Sequence, residues 1–344
     1  MELSSVAIRG AGAVSPVGWG LADLRDAVLG GRAVSPAVKL SCVKGECLVR
    51  RVPVPTQRTV LSSNPRLRRS SPITQFAVAA AIEAIGPDVE KVKRGELRLG
   101  VIVCVTTGCV NYSRRFYSEA LKDPSTASPL VFPETVFNAP ASHLGALLES
   151  TSINYTVVGD AGSFLIGLAL AADWLTHHDV DSCVVTAAEE IDGLSVHGLG
   201  LFFRNMTLSE GAGALYLKRA GELPREVLLN CISEPHLFTR AQSRARAIHA
   251  MRTELPKVTD REVLLLSDSG GRWNRLERDA WMESPARRIA PKILLGESFI
   301  ASAGWQGALA YDLLSRNECA AATLSVVGFD QQAIGARFAV GNGN

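Results

Sequence analysis

The sequence predicts an α/β protein: parallel or mixed sheets covered by helices on both sides, arranged as two similar βαβ halves. Three observations carry this. The strand candidates are continuous apolar runs such as LRLGVIVCV at 97–105, the pattern of strands buried on both faces. Strand and helix patterns alternate along most of the chain. After Pro224 the same alphabet repeats, and 344 residues exceed what one hydrophobic core usually holds. The halves are expected at 1–222 and 223–344.

SVAIRGAGAVSP at 5–16 gives the first strand signal, followed by a helix from Leu21 to Leu29. Residues 33–72 have weak periodicity, several Pro and Ser and an RLRR cluster at 66–69, which reads as loop. Ile73–Ile85 is Ala-rich and amphipathic at helical spacing. Helices are expected at 112–121 and 134–148, and a strand at 153–158 (INYTVV). SFLIGLALAADWLTH at 163–177 is a helix nearly apolar all round, and such a helix lies inside a protein. Strands at 182–188 and 212–218 complete the first half. The second half reads strand 227–233, helix 239–254, strand 262–267, helices 274–282 and 299–315, and strands 319–328 and 335–340. Every one of these strands is too apolar to face water.

With 47% apolar and 20% charged residues, the composition is that of an ordinary globular protein and excludes disorder and fibrous classes. A net charge of +2, from 36 basic and 34 acidic residues, offers no global field to nucleic acid or an anionic membrane. MELSSVAIRGAG lacks the regions of a signal peptide, and no run of about 18 apolar residues occurs, so a cytoplasmic protein is expected. The seven cysteines are odd in number and scattered, which is no disulfide framework; Cys42 and Cys47 lack the partners that would complete a zinc site.

Several short motifs read blandly. GAGAVS at 10–15 lacks the third glycine and the following helix of a dinucleotide fingerprint, and no cofactor is expected. SDSGG at 267–271 suggests Ser269 as a serine nucleophile, but a strand-to-loop turn fits better. None of the six histidines follows a Gly-rich turn, so surface or satisfied core positions are expected. Arg240, Arg244, Arg246 and Arg252 suggest a solvated helix face or a docking face for an acidic partner.

Four sets of strings, in order, are more specific: IRGAGAVSPVGWG at 8–20; the stretch 158–190 from VGDAGS to AEE; SEGAGALYL at 209–217; and KILLGESFIASAGWQGALA at 292–310 with SVVGF at 325–329. Together they resemble a β-ketoacyl-acyl-carrier-protein synthase of the thiolase superfamily, over roughly 5–340 of a chain shorter than a typical member. The resemblance implies the thiolase fold, duplicated βαβαβ halves in a five-layered αβαβα sandwich. Such a synthase needs a Cys thiolate at a helix N-terminus, where the dipole lowers its pKa, and two histidines to assist decarboxylation of a malonyl thioester.

Counting back from AEE, whose Glu189 matches a family glutamate, the nucleophile position is Ala161. Asp160 and Ser163 flank it, and Asp160 is expected to cap the helix. The first family histidine falls within Ser267–Gly270, near Asp268, and the second at Glu297; Lys292 and Phe329 are retained neighbours. A carboxylate at 297 is expected to repel the malonyl carboxylate. With nucleophile and both histidines altered together, the chain resembles a chain length factor, the silent subunit that pairs with an active ketosynthase and an acyl carrier protein. In that family the subunits meet at the strand corresponding to 153–158, and the silent one shapes the far end of the acyl tunnel. The corresponding segment here offers Tyr112, Phe116, Phe132 and Phe137 as tunnel candidates, with burial in the core as the other reading. The alternative is a stand-alone malonyl-carrier-protein decarboxylase or acyltransferase using Asp160, Ser163 or Cys109.

Overall fold

The computed structural model describes residues 3, 5–42, 45–55, 64–202, 206–239, 241–329 and 331–342. In chain order run β1 (Val6–Ser15), α1 (Leu21–Val28), β2 (Val38–Cys42), β3 (Gly45–Arg50), α2 (Pro72–Ile85), β4 (Leu99–Val105), α3 (Val110–Lys122), α4 (Ala139–Leu147), β5 (Asn154–Val158), α5 (Ser163–Thr176), β6 (Ser182–Glu189), α6 (Gly193–Phe202), β7 (Thr207–Ser209) and β8 (Gly211–Arg219). Then follow β9 (Arg225–Ile232), α7 (Ala241–Glu254), β10 (Val263–Leu266), α8 (Arg275–Ala280), β11 (Arg287–Ile289), α9 (Pro291–Leu295), α10 (Ile300–Ser315), β12 (Ala321–Val327) and β13 (Gln332–Asn342).

The main strands line up as β11-β10-β12-β13-β9-β1-β8-β6-β4-β5. Counted by order of appearance, β1, β4, β5, β6 and β8 take the spatial order 3-2-4-5-1, and β9 to β13 take the same order. Polarity repeats as well. β4 is parallel to β5 and β6 as β10 is to β11 and β12, while β8 and β13 run antiparallel to both neighbours. The two sets meet at β1 and β9 through a short antiparallel contact, Ala7 opposite Leu228 and Ile8 opposite Val227.

Alternation of side chains along each strand sorts the core into layers. Val101, Val103 and Val105 of β4 pack with Ala77 and Ala80 of α2 and Leu144 of α4, whereas Ile102 and Cys104 turn towards α5 and α10. Val263 and Leu265 of β10 join that middle layer from the other side, and Leu264 and Leu266 face Ile248 and Met251 of α7. The result is five layers, αβαβα. Fourteen of the sixteen residues of α10 are buried, which a helix between two sheets requires.

The layers approach to backbone contact. A Cβ on Gly213 of β8 would lie 2.2 Å from the Gly304 carbonyl carbon of α10. Beside this crossing, Trp305 Nε1 donates to Val14 O and Ala212 O, both at 3.0 Å. The glycines of GAGAVS serve the same end inside β1: Cβ atoms on Gly10 and Gly12 would sit 2.1 Å from the Ala84 and Ala80 carbonyl oxygens of α2.

Four sequence expectations need correction. Residues 33–72 are not all loop, since β2 and β3 form a hairpin that β7 extends in parallel; residues 43–44 and 56–63 lie outside the described residues. The hairpin buries only Cys47 and Val49 of β3, too short an alternation to register as a pattern. Helix α6 was unexpected because Gly193, Gly198 and Gly200 lower its helix propensity. The helix expected over 134–148 starts at Ala139, after a 3-10 turn at Phe132–Glu134. Finally, β5 does face outward: it ends the sheet, with Tyr155 and Val158 exposed beside Ile153.

Gly213→Ala is expected to cost about 3 kcal/mol, the upper range for overpacking, because both colliding groups are backbone. Gly193→Ala, with open space around its Cβ, should change stability by less than about 0.5 kcal/mol. Denaturant unfolding of the two variants measures the difference.

Candidate functional site

The segments carrying Ala161, Asp268 and Glu297 converge on the turn that follows β12. Asp160 precedes the head of α5. Its Oδ1 accepts from the Gly162 N–H at 3.0 Å and from Gln332 Nε2 at 2.8 Å, and its Oδ2 from the Gln332 N–H at 3.3 Å. Gly162 is the N-cap residue of α5, so the carboxylate takes up one N–H at the head of that helix. A Cβ on Gly328 would overlap Asp160 Oδ2, so the turn is pressed against Asp160. Ala161 and Ser163 are buried beside it.

The 267–270 turn closes on itself. Asp268 Oδ1 accepts from the Gly270 N–H at 2.8 Å and from Arg278 Nη1 at 2.6 Å. Asn274 Oδ1 accepts from both the N–H and Oγ of Ser269, which makes SDSGG the strand-to-loop turn expected. Ser267 Oγ donates to Ser325 O at 2.9 Å and accepts from the Val327 N–H at 3.0 Å. Beneath lies Glu277, whose Oε1 accepts from the Ser267 N–H and Ser325 Oγ; burial pushes its carboxyl up to about 7.

At the third segment Glu297 and Lys292 form a buried ion pair, Nζ to Oε2 at 2.8 Å, with side chains 1% and 3% exposed. The expected repulsion of a malonyl carboxylate is therefore corrected: position 297 carries half of a paired charge. Oε1 accepts from the Phe299 N–H at 2.8 Å. Phe299 has φ 46°, a region that bulky residues avoid. The Glu297 contact and the Phe329 ring, 5.5 Å away between centroids, help hold it there.

No thiol or imidazole belongs to these three clusters. Cys109 lies elsewhere, at the head of α3. It is buried, and burial pushes its thiol up to about 12, far from the thiolate that nucleophilic chemistry requires. His143 pairs with Glu134 and His236 with Glu254, while the other four histidines are exposed. Among the described residues no group of three or more His, Cys, Asp or Glu is placed to hold a metal ion, and no helix is long and apolar enough to cross a membrane.

The tunnel candidates gather around α3. Tyr112 and Phe116 are half-buried, and Phe116 packs on Phe132 with centroids 5.4 Å apart. The Phe137 ring lies against Gly108, where a Cβ would come within 2.5 Å of it. No residue of α3 is fully buried, and Phe132 and Phe137 are exposed, which weighs against the core reading of these aromatics. A pocket of about 490 Å³ beside them is lined by Pro72, Asn111, Tyr112, Arg114, Arg115 and Lys122, among others.

No protein-family model matches the chain, and no curated protein matches its sequence. Solved structures do. The ishigamide ketosynthase/chain length factor superimposes with a TM-score of 0.79 at 17% identity, over 97% of this chain and 99% of that one. A type II polyketide synthase acyl-carrier protein in complex with its ketosynthase bound to the hexaketide gives 0.75 at 16%, over 98% and 99%. A ketosynthase (ApeO) in complex with its chain length factor (ApeC) from Xenorhabdus doucetiae gives 0.74 at 17%, over 98% of each chain. The fold is the thiolase-like ketosynthase fold. The similarity read from the four sets of strings thus holds at the level of the fold.

Within this ketosynthase fold two contacts had no sequence signal. Gln332, which fastens Asp160 to β13, is 172 residues away. Arg244 is not on a solvated face: it is buried, with Nη2 donating to Gly328 O at 2.8 Å and its guanidinium over the Phe238 ring. Arg252 likewise turns inward over Trp281, Arg246 is exposed, and Arg240 lies outside the described residues.

Removing one partner of a buried ion pair strands the other, so Lys292→Met should cost about 3–5 kcal/mol, and Lys292→Met with Glu297→Leu should recover most of it. Urea unfolding of the three proteins decides. Stability should also fall between pH 5 and pH 8. Glu277 has a raised folded pKa, so its contribution is complete below its unfolded value and is lost as pH rises through about 7. Glu277→Gln should flatten that slope in unfolding curves taken across the range.

Proposed function

We propose that the chain is a chain length factor: a catalytically silent ketosynthase-like subunit that pairs with an active ketosynthase and shapes its acyl tunnel in type II polyketide or polyene biosynthesis. The observation that carries it is the chemistry of three positions in an otherwise whole fold. Ala161, the 267–270 turn and Glu297 offer neither thiol nor imidazole, and the side chains around them are engaged with one another. Condensation needs a thiolate and its histidines together. A stand-alone decarboxylase or acyltransferase is the weaker reading, since both oxygens of Asp160 accept hydrogen bonds and the Cys109 thiol is held protonated. One structural neighbour is a ketosynthase with its chain length factor and another includes an acyl-carrier protein, which supports those two partners. In this reading 1–222 and 223–344 are the two halves, and the exposed edge β5 is where the partner's sheet joins, covering a strand that would otherwise invite aggregation.

The isolated protein should release no carbon dioxide from malonyl-carrier protein above background, and Ala161→Cys should stay inactive for want of histidines. Turnover lost on Asp160→Asn or Ser163→Ala would overturn silence. Expressed alone, the protein should self-associate or be poorly soluble, whereas co-expression with a Cys-containing ketosynthase should give a stable complex burying more than about 2,000 Å². In that complex Tyr112→Ala, Phe116→Ala or Phe137→Ala should lengthen the product seen by mass spectrometry; unchanged length in every assembled variant would sink the tunnel assignment.

A further inference from the structure

We propose that Glu190 is a positioning residue for α3, capping α2 and α3 at once with the two oxygens of one carboxylate. The side chain is completely buried. Its Oε2 accepts from the Ile73 N–H at 3.0 Å, in the first turn of α2, and its Oε1 from the Asn111 N–H at 2.7 Å, in the first turn of α3. The first N–H groups of a helix have no acceptor within it. Neither helix supplies one from its own N-cap side chain: Ser71 Oγ is taken up with Thr74 Oγ1 and Cys109 Sγ, and Cys109 makes no capping bond. Burial pushes this carboxyl up to about 7, against which the two N–H bonds act, and in its ionised form the charge meets the positive ends of two helix dipoles.

What makes this contact decisive for α3 is the rest of that helix. With no residue of α3 fully buried, apolar packing cannot fix where it sits, and polar anchors in its first turns must. They are Asn111 on Glu190, Tyr112 on Arg69 O, Ser113 Oγ on Thr135 O at 3.2 Å, and Arg114 Nε on both carboxylate oxygens of Asp192. Two of the four come from the segment directly after β6, and Glu189 beside them accepts from the Thr106 and Thr107 N–H groups in the loop leading to α3. The end of β6 is thus the platform on which α3 stands, and Glu190 is its link to α2. The consequence for product length rests on the tunnel reading given above; the capping itself does not.

The test uses Glu190→Gln, which keeps shape but leaves one acceptor oxygen for two helices, and Glu190→Ala, which leaves none. Site-resolved hydrogen exchange on the full chain in its soluble form, alone or in complex with a ketosynthase, should show the Asn111 or Ile73 amide exchanging at least tenfold faster in Glu190→Gln and both doing so in Glu190→Ala, with β4 and β6 amides unchanged. In the complex with a ketosynthase, Glu190→Gln should assemble in normal yield and shift the product-length distribution, which a merely structural loss would not do. Unchanged exchange at both amides in Glu190→Gln overturns the inference, even if Glu190→Ala fails to fold. Faster exchange with unaltered product lengths upholds the capping role and counts instead against α3 as a tunnel wall.

Discussion

Helix α10 meets β8 backbone to backbone, and the rest of the molecule depends on that crossing. Only glycine at both 213 and 304 allows it, and Trp305 locks the register by donating to one carbonyl of β8 at Ala212 and one of β1 at Val14. A middle layer this thin draws both sheets into one core, in which α5 and α10 are covered on both sides. The site follows as a geometric consequence. The head of α5 carries Asp160–Ser163, and the head of α10 is entered from Lys292–Phe299. Both open where β12 ends, so the segments at 160, 267 and 297 meet whether or not they bear catalytic groups.

Around that meeting place, and at the neighbouring end of β6, stand buried carboxylates bonded to backbone. Glu189, Glu190, Glu210 and Glu277 each accept at least one main-chain N–H, and Glu297 holds the strained Phe299 while paired with Lys292. A buried charge is tolerated only when so satisfied. Each of these groups therefore fastens a loop, and a side chain committed to fastening is a poor candidate for proton transfer. The turn at Asp160 and the buried Ala161 beside it are, in this light, parts of one bonded arrangement.

The sequence disclosed the strands and helices well because burial on both faces leaves an unmistakable apolar record, as in Leu99–Val105 and Ser163–Thr176. It disclosed less wherever structure rests on a few long-range bonds. The β2–β3 hairpin buries little, α6 is glycine-rich, and Arg244 is charged yet turned inward to carbonyl oxygens 84 and 85 residues away. Motif order assigned family positions to Ala161, Asp268 and Glu297, but the pairing of Glu297 with Lys292 left no trace in it. String matching reports which residue stands at a position and nothing of which partner neutralises it.

The inside and outside of the chain are satisfied to different degrees. Around the segments at 160, 267 and 297 the charged side chains are paired or bonded to backbone, whereas α3 and the segment after it leave Leu121 and Leu130 about 80% exposed, and β5 leaves Tyr155 and Val158 more than half exposed. Apolar side chains left this exposed are costly in water and mark surface that something else can cover. Under the chain length factor reading, that something is the ketosynthase. The chain's contribution to specificity then lies in the shape and placement of α3 against its partner, and a helix held by its N-terminal polar anchors can be re-aimed by few substitutions without disturbing the five-layered core behind it.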